Sequence, residues 1–155
     1  YDAPEMDGTG KHEPIAWTTQ FGQGRVFFTA LGHDVAAMTA PGFTAMFASA
    51  VVWAAGAVNK PADSERQPVR VTLVTGGHDH APSFYSVFEG QSELSVRVNP
   101  HPLAYEGDLR KNCDVLVLYD MISDPGVKQK QNLREFLESG KGLVVLHHAL
   151  VNFNS

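Results

Sequence analysis

The sequence predicts an α/β protein with three layers, α/β/α, built on a mainly parallel sheet. DVLVLYD (114–120) and GLVVLHHA (142–149) are apolar almost throughout, as strands are when helices cover both faces of their sheet. Segments of helical periodicity lie between such strands, which is the order of elements in βαβ units. RVFFTALGHD (25–34), VRVTLVTGGHDH (69–80), DVLVLYD and GLVVLHHA also each close on, or just after, a histidine or an acid. Strand carboxyl ends line one edge of an open parallel sheet, so His33, Asp34, His78, His80, Asp120, His147 and His148 are expected to converge there, although scattered along the chain.

Local signals place each element. Residues 15–31, IAWTTQ-FGQG-RVFFTAL, alternate around a glycine-containing turn and predict a β-hairpin at one side of the sheet. Phe43, Met46, Phe47, Ala50, Val51 and Ala54 recur at helical spacing, so a helix is expected over 42–56 with Gly56 ending it; the stripe is read as a core face. Residues 57–68, AVNKPADSERQP, have charge and proline without periodicity and predict a connection. A strand is expected over 69–75, a short helix over 82–89 with Phe84, Val87 and Phe88 on one face, and strands over 94–98 and 114–119. A helix is expected over about 125–139, with Asp124 as its cap, Pro125 in its first position, an Arg134–Glu138 pair along it and Gly140 or Gly142 ending it, before a last strand at 143–147.

Composition narrows the function. The chain has 155 residues, 43% of them hydrophobic, enough for one core and one domain over 1–155. Twelve basic and seventeen acidic residues leave a net charge of −5, and no basic stripe occurs, so neither nucleic acid nor an anionic membrane is expected as partner. The longest apolar run, AMFASAVVWAAGAV (45–58), is too short to span a bilayer. One cysteine, Cys113, excludes an internal disulfide. A start at Tyr1 and a stop at Ser155 just after an apolar strand predict a trimmed, processed or engineered chain.

The constellations admit chemical and plainer readings side by side. GGHDH (76–80) follows a strand, and its two glycines allow a tight turn presenting His78 and His80; it has neither the Walker lysine nor the third glycine of a nucleotide fingerprint. His-x-His is a spacing used by metal sites, and a divalent ion such as zinc on His78, His80 and His147 is one reading, solvated or capping histidines the other. His147 and His148 end the last strand, where neighbouring side chains on extended backbone face opposite ways, so only one reaches the crevice unless the strand has already ended; the other satisfies a backbone carbonyl. Asp34 either orients His33 or caps the residues after it, and Asp120 has the same two readings. His12 and His101, in polar proline-rich segments, are expected at the surface. Cys113 precedes its strand and lies at the amino end of the sheet, and no G-x-S-x-G elbow is present, which argues against a nucleophilic hydrolase.

These motifs carry a family resemblance. VTLVTGGHDHAPSFYSVFEG, DLRKNCDVLVLYDM and NLREFLESGKGLVVLHHALVNF resemble the first part of a ThuA-like (trehalose-utilisation) domain, whereas KHEPIAWTTQFGQGRVFFTALGHD and FTAMFASAVVWAAG resemble its last part. Residues 1–56 thus look like the family's C-terminal part and 69–155 like its N-terminal part, in permuted order across 57–68 and without the family's middle; a circular permutant with a deletion, a fragment cut across two tandem domains and a middle supplied by another chain are the alternatives. The resemblance implies a flavodoxin-like fold similar to class I glutamine amidotransferases, without their catalytic cysteine and so without their activity. It also implies carbohydrate metabolism, with trehalose or a keto-sugar as small-molecule partner, in a bacterial cytoplasm or, after processing, periplasm or exterior. Histidines His78, His80, His147 and His33 are then expected to move protons, while His148, Asp34, Asp120 and Tyr85 contact substrate; a non-catalytic sugar-binding module and a metal-dependent hydrolase or isomerase are the alternatives. Self-association is expected, since the end at Ser155 leaves sheet surface exposed.

Overall fold

A computed structural model describes residues 10–57 and 67–153; most of the predicted 57–68 connection lies outside them. Six strands form one sheet: β1 (Ala16–Phe21), β2 (Gly24–Thr29), β3 (Val69–Gly76), β4 (Leu94–Pro100), β5 (Val115–Asp120) and β6 (Gly142–Leu146). Their spatial order is β1-β2-β6-β5-β3-β4, and every neighbouring pair except the β1–β2 hairpin is parallel. The hairpin is therefore an edge feature, as expected, and β2 joins the sheet by pairing Val26–Thr29 with Leu143–Leu146. The strand order reverses beside β3, with β4 on one side and β5 on the other. In doubly wound sheets the crevice for ligands opens outside the carboxyl ends at such a reversal.

Helices α1 (Val35–Met38), α2 (Pro41–Ala54), α3 (Leu109–Asn112) and α4 (Val127–Glu138) complete the layers. Strand alternation sends Val115, Val117 and Tyr119 to one face, where they pack with Phe43, Phe47 and Val51 of α2, and sends Leu116 and Leu118 to the other, where they pack with Leu133, Phe136 and Leu137 of α4. The β5 strand is buried at every position, which is why Val115–Leu118 read as continuously apolar. Among the described residues no helix is long and apolar enough to cross a membrane.

One local expectation holds and one needs correction. The short helix expected over 82–89 is present as a 3-10 helix, Pro82–Phe88. Phe84 and Val87 are its buried residues, and three residues per turn stack i and i+3 in one line over the core. α4 starts two residues later than predicted: its cap is Gly126, while Asp124 accepts the Gly126 N–H at 3.0 Å and pairs with Lys130. Further along α4, Arg134 sets its guanidinium 5.7 Å from the centre of the Phe21 ring.

Candidate functional site

The turn after β3 is made possible by its two glycines. Gly76 and Gly77 have φ of 123° and 79°, and a Cβ on Gly77 would lie 2.0 Å from the Met121 carbonyl oxygen. The close approach of the chain leaving β5 thus requires the GG pair, and it throws His78 over β5, with Nε2 3.1 Å from the Tyr119 carbonyl. His80 comes next, its Nε2 3.0 Å from the Tyr85 hydroxyl and its ring against Phe84 and Tyr119. Tyr119 itself stacks on Phe84 at 4.1 Å between centroids and donates its hydroxyl to the Gly32 carbonyl at 3.3 Å.

β6 stops at Leu146, and His147 takes a left-handed φ of 47° to begin a 3-10 turn over His147–Val151. Since the strand has ended, the two neighbouring imidazoles are not forced to opposite faces; their centroids are 3.9 Å apart. His147 meets His33 at 5.0 Å, and His148 meets His78 at 4.9 Å and His33 at 6.3 Å. His80 extends the series from His78 at 6.1 Å. Five of the predicted histidines, from three separate segments, therefore share one cluster at the strand carboxyl ends.

Hydrogen bonding leaves this cluster with spare capacity. His147 can donate from Nδ1 to the Ala30 carbonyl at 3.2 Å, which makes its Nε2 an acceptor when the ring is neutral. That Nε2, His80 Nδ1 and His148 Nδ1 are buried atoms without a hydrogen-bond partner. Burial, reinforced by the charges of His147, His78 and His33, pushes the His148 pKa below its ordinary value and favours its neutral ring. Burial, then the Asp34 carboxylate, raises that of Tyr119.

The two acids are placed differently. Asp34 caps α1, accepting the Ala37 N–H at 2.8 Å, and its carboxylate lies 3.9 Å from His33 Nδ1, both side chains being exposed. Asp120 is fully buried and points to the face of Leu116 and Leu118, away from Tyr119. There it accepts from His101 Nδ1 at 3.1 Å, from the Tyr105 hydroxyl at 2.9 Å and from Asn152 Nδ2 at 2.8 Å. The expectation of Asp120 as a substrate contact is replaced by a structural carboxylate with three donors. His101, expected at the surface, is its partner, with 17% of its side chain exposed. The missed signal was position: His101 directly follows β4, so it too stands at a strand carboxyl end.

The predicted metal set is not assembled. Among the described residues no group of three or more His, Cys, Asp or Glu side chains is disposed to hold a metal ion, so His78, His80 and His147 do not fit one as placed.

The family described as ThuA: Trehalose utilisation matches residues 1–54, about a third of the 155-residue chain. That match includes the hairpin and the LGHD segment with His33. No curated protein and no solved structure matches the chain.

Proposed function

We propose that the chain belongs to carbohydrate metabolism and binds a sugar, trehalose or a keto-sugar derived from it, in the imidazole cluster at the strand carboxyl ends. On this reading residues 69–155 supply segments that open a trehalose-utilisation domain and residues 1–56 segments that close one. The observation that carries the proposal is the set of three partnerless buried nitrogens, on His80, His147 and His148, in one cluster. Leaving a buried polar atom unpaired costs about 1–3 kcal/mol, and sugar hydroxyls, which both donate and accept, can pair with neutral imidazoles. Tyr85, exposed beside His80, presents a ring that suits the apolar face of a pyranose.

A second reading, proton transfer at the carbon beside a sugar carbonyl, is favoured by one observation. His148 is kept neutral by burial and by its imidazole neighbours, and a neutral ring at neutral pH can take a proton. In that case the neighbouring imidazoles pass it on, and Asp34 takes no direct part.

Titration calorimetry with trehalose and 3-ketotrehalose tests the first reading. We expect saturable binding that weakens about tenfold in His148→Ala, the loss of one good hydrogen bond in a buried setting. Binding unchanged by His148→Ala and His80→Ala would remove the cluster from the site. Solvent deuterium exchange at the carbon beside the keto group, followed by NMR, separates the readings: exchange lost in His148→Ala supports proton transfer, and binding without exchange leaves a binding module.

A further inference from the structure

A pocket that includes none of the histidines lies toward the amino ends of β3 and β5. It is a cavity of about 270 Å³ on the α4 face of the sheet, open where β4 runs uncovered along the edge. Its floor is Thr72 of β3, which pairs with Leu116 of β5, and its wall is Cys113 at the end of α3.

The chemistry of this lining is specific. The Thr72 hydroxyl is buried, with the residue 4% exposed, and has no hydrogen-bond partner, although it lies beside the Cys113 thiol. A thiol is a weak partner and leaves the hydroxyl unsatisfied. Arg97 reaches the cavity from β4 and is tethered by donating from Nη2 to the Asn112 carbonyl at 2.7 Å. Among the described residues no carboxylate pairs with that guanidinium. Asn99 and Asn112 add amides to the lining, and Leu109 and Leu116 give it an apolar side.

We infer that this cavity binds a small 2-hydroxy carboxylate. The carboxylate pairs with Arg97, whose planar fork suits it. The adjacent hydroxyl satisfies Thr72, and a short carbon chain lies against Leu109 and Leu116. The volume of about 270 Å³ has room for a 2-hydroxy carboxylate together with water. The site shares no residue with the imidazole cluster, so the inference stands independently of the sugar-binding proposal.

Cys113, the chain's sole cysteine, lines the cavity but is 1% exposed, so it is modified when the fold opens there and more slowly when a ligand holds the cavity closed. Its modification by methyl methanethiosulfonate can be followed by mass spectrometry with sodium lactate as the probe. Lactate at about ten times its Kd is expected to slow modification about tenfold, and uncharged lactamide or sodium chloride at equal ionic strength to leave the rate unchanged. Arg97→Gln is expected to abolish the protection. Thr72→Val carries a two-sided expectation: the free protein melts higher, because an orphan hydroxyl is gone, while lactate protects less well. Equal protection by lactate and lactamide, no protection by lactate, or full protection in folded Arg97→Gln or Thr72→Val would each overturn the inference.

Discussion

Tyr105→Phe removes one oxygen from a fully buried polar group, and its consequences can be worked out at two pH values. Tyr105 and Asp120 are both 0% exposed, and the phenol donates to Asp120 Oδ2 at 2.9 Å. A hydrogen bond to a buried charge is worth about 1.5–3 kcal/mol, and the carboxylate keeps His101 and Asn152 as donors, so the lower half of that range is expected at pH 7. For a chain of this size that is a fall in Tm of about 3–8 °C. The second consequence has the opposite sign. Burial first, then the Asp120 charge and its hydrogen bond, raise the Tyr105 pKa far above its ordinary value. The folded state therefore holds the phenolic proton after the unfolded chain has released it. The stability due to this shift is fully present below the unfolded pKa of about 10 and is lost above it, by about 1.4 kcal/mol per pH unit for one proton. Urea unfolding at pH 7 and at steps from pH 9 to 11 measures both effects. Tyr105→Phe should be less stable than the parent at pH 7, yet lose stability less steeply above pH 10. An alkaline limb with the parent's slope would refute the buried Tyr105–Asp120 hydrogen bond, as would unchanged stability at pH 7.

Other perturbations test other parts of the fold. Hydrogen bonds from Arg70, aided by Lys141, hold the Asp114 carboxyl well below the usual range, so its stabilisation is present above pH about 4 and is lost as pH falls further; Asp114→Asn should flatten the acid limb of stability in that window, measured by urea midpoints from pH 5 to 2. Phe136→Ala, at a fully buried ring between α4 and the sheet, is expected to cost about 3–5 kcal/mol by chemical denaturation. Gly77→Ala sets a Cβ on the Met121 carbonyl at a left-handed φ and should cost at least about 1–3 kcal/mol, with NMR shifts changing at His78 and Met121; shifts confined to the substituted position itself would contradict the close approach.

How far the sequence could be read depended on whether the signal was local. Strands β5 and β6 were legible because burial on both faces favours apolar residues along their middles, so LVVL and VLVL declare themselves. The edge hairpin was legible from alternation around its turn, and the histidines at strand ends from the directionality of a parallel sheet. An aspartate before Pro125 can cap a helix or close a turn; here it closes a turn onto the Gly126 N–H, and Gly126, with a φ of 91°, precedes the helix.

The sequence by itself therefore determined the layers, the strand directions and the edge on which His33, His78, His80, His147 and His148 gather, since these follow from hydrophobic period and chain direction. Only the tertiary structure decided which of the two sheet faces each polar end group joins. A one-residue difference in where a strand ends reverses that choice: His147 and His148 fall on one side because β6 stops at Leu146, while Asp120, still within β5, is turned to the other face and buried among Tyr105, His101 and Asn152.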